Sequence, residues 1–178
     1  MKKLSVGILG FGTVGGGTYE ILTKNHDLIT QRTGVSIDVV KALVRKHREG
    51  IPAHLTTEDP DDILKDPSID VVVETMGGIE PATAFMLQAM ENGKHVVTAN
   101  KAAVAANYEK LQAAAAKNQV QFLFEASVGG GIPVLTAIQN ALQGNAFLEV
   151  MGIVNGTTNY ILTKMTEDGA DYAEVLKD

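Results

Sequence analysis

Apolar and polar positions alternate along this chain between a continuous, strand-like pattern and a helical period. Residues 4–9 form an apolar run that reads as a buried strand. A glycine-rich turn follows. Helical spacing then starts at Thr13-Val14 and continues through Ile21, Leu22, Leu28, Ile29 and Arg32 to a stop at Gly34, which predicts one long helix. A second strand is expected over residues 35–44, ending in Arg45-Lys46-His47-Arg48. Asp59-Pro60-Asp61-Asp62 opens a short helix that Pro67 stops, and residues 69–74 make a third strand. Pro81 starts a helix with Ala82, Phe85, Met86, Ala89 and Met90 on one face and Gly93 at its end. A fourth strand, 95–98, leads into an alanine-rich helix from Lys101 to about Lys117. A fifth strand is expected over 120–125, and a helix from Pro133 with Leu135, Ile138 and Leu142 inward. Residues 147–154 read as one more strand, and Thr157 or Thr158 as the cap of a helix carrying Tyr160, Ile161, Leu162 and Met165. Asp171-x-x-Glu174 has the form of a capping box for a last helix.

Strands alternating with helices imply parallel pairing and right-handed crossovers. The fold class expected is α/β, a Rossmann-type doubly wound, mainly parallel sheet over residues 1–146. Residues 147–178 are expected to be the truncated start of a second, α+β domain, because the last helix is too short to stand alone. The first turn sharpens this picture. Gly10-x-Gly12-x-x-Gly15 sits between a strand and a helix, the fingerprint of dinucleotide binding. Gly10 permits the sharp turn, Gly12 leaves room for a pyrophosphate, and Gly15 lets helix and strand pack closely. The helix start offers unpaired N–H groups to the phosphates.

Composition then removes whole classes of function. At 45% hydrophobic and 20% charged, the chain is globular. No apolar run is long enough to span a membrane, and no signal peptide opens the chain. With no cysteine, disulfides, thiolate metal sites and cysteine nucleophiles are excluded, and a cytoplasmic location is expected. A net charge of −6 argues against nucleic acid as a partner, so any positive charge that binds phosphate must be local. The four histidines show no ligand spacing.

In such a sheet the ligand lies beyond the carboxyl ends of the strands. The loops at 10–15, 45–46, 75–78, 98–101 and 125–131 therefore share one rim. No acid stands at the end of the second strand to hold a ribose 2′-OH. Arg45 and Lys46 stand there instead and suit a 2′-phosphate, so NADP is favoured, with NAD as the alternative. Lys101 begins a helix, where a cation opposes the dipole, which hints at a functional role. Glu125 faces a glycine-rich loop in which Val128, Gly130 and Ile132 alternate. A carboxylate with backbone carbonyls is a hard oxygen set for a Group 1 or 2 cation, and a hydrogen-bonded or capping glutamate is the plainer alternative.

The segments Gly7-Ile8-Leu9-Gly10-Phe11-Gly12-Thr13-Val14-Gly15, Gly77-Gly78-Ile79-Glu80-Pro81-Ala82, Thr98-Ala99-Asn100-Lys101-Ala102, Glu125-Ala126-Ser127-Val128-Gly129-Gly130-Gly131-Ile132-Pro133 and Asn155-Gly156-Thr157-Thr158-Asn159-Tyr160-Ile161-Leu162, in this order, closely resemble homoserine dehydrogenase. The resemblance implies NAD(P)H-dependent reduction of L-aspartate 4-semialdehyde to L-homoserine, a step toward threonine, methionine and isoleucine. It implies that Gly10, Phe11, Gly12, Thr13, Val14, Gly15, Arg45, Lys46, Thr75, Thr98, Asn100 and Lys101 hold the cofactor. Lys101 is implied to polarise the carbonyl or donate a proton, and Gly156 and Thr157 to lie at the substrate. Glu125, with the carbonyls of Val128, Gly130 and Ile132, matches a monovalent-cation site for sodium or potassium. The family also uses acidic substrate ligands and a second lysine that this sequence lacks, so the chain is expected to bind cofactor and to turn over little substrate. A homodimer is implied for the full-length protein. The alternative is a non-catalytic NAD(P)-binding regulatory module.

Overall fold

A computed structural model describes residues 2–46 and 51–177. The chain divides into two compact units, Met1–Thr136 and Ala137–Asp178; the boundary expected from sequence, between 146 and 147, lies later in the chain. The first unit holds a six-stranded sheet in the order β3-β2-β1-β4-β5-β6, with every neighbouring pair parallel. The strands are β1 (Lys2–Leu9), β2 (Val35–Leu43), β3 (Thr56–Thr57), β4 (Val71–Glu74), β5 (His95–Thr98) and β6 (Phe122–Leu123). This is the doubly wound arrangement expected from the alternating pattern, with the order reversing next to β1.

Each face of the sheet has its own apolar cluster. On one, Val6 and Ile8 of β1 pack with Phe11, Ala42, Val44 and Ile51, and with Tyr19 of helix α1 (Thr13–Lys24). On the other, Leu9, Val72, Val96 and Phe122 pack against three helices: α3 (Asp61–Leu64), α4 (Ala82–Glu91) and α5 (Lys101–Asn118). Neighbouring residues of β1 thus enter opposite clusters. That two-sided burial is why residues 4–9 read as continuous rather than alternating apolar.

Several elements differ from the sequence reading. The long first helix is two: α1 ends at Lys24, Asn25 stands between as cap to both, and α2 (His26–Thr33) follows, closed by Gly34 at φ 73°. The strand expected over 120–125 shrinks to β6, with Glu125–Ser127 forming a 3-10 turn. β3 is too short to leave a hydrophobic period and was not foreseen. The helix after Pro133 opens as one α turn, α6 (Val134–Thr136), and runs directly into a π-helical turn, Ala137–Ala141. His47 and Arg48, the end of the basic run, lie outside the described residues.

The second unit contains a π-helical turn (Ala137–Ala141), α7 (Gly156–Glu167) and α8 (Tyr172–Val175). Asn155, not Thr157 or Thr158, caps α7: its side chain accepts the Thr158 backbone N–H at 2.8 Å. Asp171 caps α8 as expected, accepting the Ala173 N–H at 2.8 Å. The expected strand over 147–154 does not form. Leu148 (99% exposed), Val150 and Val154 point to solvent instead, because no strand within this unit offers them an edge. No helix among the described residues is long and apolar enough to cross a membrane.

Candidate functional site

The site is built at the carboxyl ends of the strands, where β1 turns into α1. Gly10 leaves the strand at φ 95°, a conformation that side-chain-bearing residues rarely adopt. Gly12 precedes the first helical turn, and a Cβ there would meet no protein atom within 4 Å. The space in front of it is open to a ligand. Gly15 is the opposite case: a Cβ would sit 2.1 Å from the Gly10 carbonyl oxygen and 2.7 Å from Thr75 Oγ1. Helix and strand touch at that point. Thr75 fixes the turn from below, its hydroxyl donating to the Gly10 carbonyl at 2.7 Å. Phe11 is buried, its ring edge-to-face on Tyr19 with centroids 5.6 Å apart. Thr13 and Val14 are exposed in the first turn of α1.

From this turn a cleft of about 750 Å³ runs to the end of β2. Gly10, Phe11, Gly12, Arg45, Lys46 and Thr75 all line it. Arg45 and Lys46 are exposed at the far end, where the sequence reading put them. Met76 joins them from the 75–78 loop expected at this rim, and Glu58 and Pro60 beyond β3, with Phe85, also line the cleft and were not foreseen. They come from segments whose own patterns say only cap, turn or core. A strand-turn-helix with a bare backbone face, an open cleft and a basic end fits a nicotinamide dinucleotide.

The β4 and β5 rim holds Thr98, Asn100 and Lys101. Thr98 and Asn100 are buried, and their side chains bond to Glu74, a residue that the sequence did not single out. Lys101 is exposed in the first turn of α5, right after its cap Asn100, which accepts the Ala103 N–H at 3.1 Å.

Glu125 makes a different set of contacts from the cradle drawn for a cation. Its carboxylate accepts the Leu135 N–H at 2.9 Å and the Thr136 N–H and hydroxyl at 2.7 and 2.6 Å, so it caps α6. The Thr136 hydroxyl, followed by the backbone donors, holds its pKa below the ordinary value. Val128, Gly130 and Ile132 lie in the loop between, where Gly129 and Gly130 turn the chain at φ 72° and 62°. Among the described residues no cluster of three or more His, Cys, Asp or Glu is placed to hold a metal. Gly156 and Thr157 are exposed at the start of α7 in the second unit.

Known proteins match this chain over nearly its whole length. The family model described as "Homoserine dehydrogenase, NAD binding domain" matches residues 10–125, and the one described as "Homoserine dehydrogenase" matches residues 133–178. The homoserine dehydrogenase of Bacillus subtilis is 42% identical over 182 aligned residues, which cover 100% of this chain and 42% of that protein. A solved homoserine dehydrogenase from Thiobacillus denitrificans superposes with a TM-score of 0.92 at 47% identity, covering 99% of this chain and 42% of that one. One from S. aureus gives 0.81 at 39% identity, with 99% and 42% covered. The chain therefore spans about two fifths of the length of these relatives. A nucleotide turn built by Gly10, Gly12 and Gly15, inside a matched segment that takes in most of the sheet, places the chain in the homoserine dehydrogenase family.

Proposed function

We propose that this chain carries the nicotinamide-nucleotide site of an enzyme that reduces L-aspartate 4-semialdehyde to L-homoserine, with NADP as the preferred cofactor. The observation that carries the reading is the turn at Gly10–Gly15, with open space before Gly12 and a cleft leading to Arg45 and Lys46. Backbone N–H groups at the start of α1 meet the pyrophosphate, and the helix dipole adds to their pull. Arg45 and Lys46 meet the 2′-phosphate, the first as a fork and the second as a point charge.

When bound, the reduced nicotinamide supplies the hydride that the aldehyde carbon accepts. The chain's own contribution is Lys101, whose ammonium polarises the carbonyl and gives a proton to the forming alkoxide. Its exposed place in the first turn of α5 leaves it free to do so. Gly156 and Thr157 are assigned to the substrate on the family resemblance. The same resemblance assigns a sodium or potassium ion to Glu125 and the carbonyls of Val128, Gly130 and Ile132. Both Glu125 oxygens already accept protein donors, so no step passes through the ion. A melting temperature unmoved by either salt removes that assignment.

Titration with NADPH and NADH tests the cofactor reading. Replacing Arg45 and Lys46 with alanine is expected to weaken NADPH roughly 10- to 100-fold, the size of a lost charge-assisted contact, and to leave NADH unchanged. Equal losses for both would refute the 2′-phosphate assignment.

A further inference from the structure

Glu74 ends β4 with no exposed surface, and it belongs to no ion pair among the described residues. Its carboxylate is satisfied by neutral donors from three places. Oε1 accepts the Met76 backbone N–H at 2.7 Å and the Asn100 side-chain amide at 3.4 Å. Oε2 accepts the Thr98 hydroxyl at 2.6 Å. The bonds continue outward: the Asn100 amide donates to the Gly78 carbonyl at 2.6 Å, and the Asn100 N–H donates to Thr98 Oγ1 at 3.0 Å. One buried group therefore ties together the loop after β4, the end of β5 and the cap of α5.

The strand order says which half of a dinucleotide this controls. The pyrophosphate sits at the start of α1, after β1, and the basic pair at the end of β2 takes the adenosine half. In the order β2-β1-β4-β5 the other half must run over the ends of β4 and β5. We infer that Glu74 is the positioning residue for the nicotinamide half of the site, acting through the backbone at 76–78 and the start of α5. This rests on the dinucleotide reading above. A carboxylate suits the position because a backbone N–H, an amide N–H and a hydroxyl all donate to it. Glutamine would put an N–H where one of these donors now binds; only the Thr98 hydroxyl could turn to accept it, and its own proton would then lose its buried acceptor.

Calorimetric titration of the 178-residue chain with NADPH and with 2′-phospho-ADP-ribose, which lacks the nicotinamide ring, tests the inference. Glu74→Gln is expected to weaken NADPH by about tenfold, the size of one hydrogen bond to the nicotinamide half that a displaced 76–78 backbone no longer makes, and to leave 2′-phospho-ADP-ribose unchanged. Equal losses for the two ligands mean a merely structural role, and no loss means no role; either result overturns the inference. Wild-type chain that binds neither ligand overturns the dinucleotide reading, and this one with it. If Glu74→Gln folds poorly, Glu74→Asp carries the same expectation, since the shorter carboxylate cannot reach the Met76 N–H and the Thr98 hydroxyl together.

Discussion

Gly12 and Gly15 stand one helical turn apart and do opposite jobs. A side chain at position 12 meets no protein atom, whereas one at position 15 runs into the Gly10 carbonyl. Gly12→Val is therefore expected to keep the melting temperature within a few degrees of wild type and to abolish measurable NADPH binding. Gly15→Ala is expected to lower stability by about 1–3 kcal/mol, the cost of overpacking a closed contact, as read by urea denaturation. A Gly15→Ala protein as stable as wild type would refute the close-packing role. Both glycines announce themselves by spacing, so their presence was legible in the sequence. Glu74 was not. A glutamate closing an apolar strand carries no periodic signal, and its donors lie at Met76, Thr98 and Asn100, two of them across a strand boundary.

Elements were legible where the signal is local. Gly34 stops a helix through its backbone and Asp171 starts one through its side chain, and the structure uses both; the Asn100 cap of α5 is an addition of the structure. Residues 147–154 failed because a strand needs a partner edge, which no local pattern can supply. Glu125 shows the same limit from the other side, since the residues that take up its carboxylate arrive with α6. That cap has a pH signature. Its folded pKa lies below the ordinary 4.5, so the cap stabilises fully above that value and is lost as pH falls through the lowered folded value. The melting-temperature gap between wild type and Glu125→Gln should be constant near neutrality and should close on acidification below 4.5. A gap that widens in acid would refute the capping role.

At the scale of the whole molecule, the sheet separates two cores. Ile8 lies in the cluster beneath α1, and Met86 in the one beneath α3, α4 and α5; both are fully buried. Replacing either with alanine should cost the first unit about 2–5 kcal/mol. The double variant should cost the sum to within about 0.5 kcal/mol, because the two share no cluster. A strongly non-additive double variant, measured by urea denaturation, would mean that the faces are not independent. The sequence alone determined what depends on near neighbours: the strand and helix alternation of the first unit, the helix stop at Gly34 and cap at Asp171, the glycine turn and the basic end of β2. Those signals survive in one dimension because backbone sterics and apolar period act over a few residues. Only the tertiary structure decided the order of the strands, the meeting of Glu74 with Thr98 and Asn100, and the engagement of Glu125. Hydrogen-bond partners far apart in the chain are chosen by packing, and packing has no short-range trace.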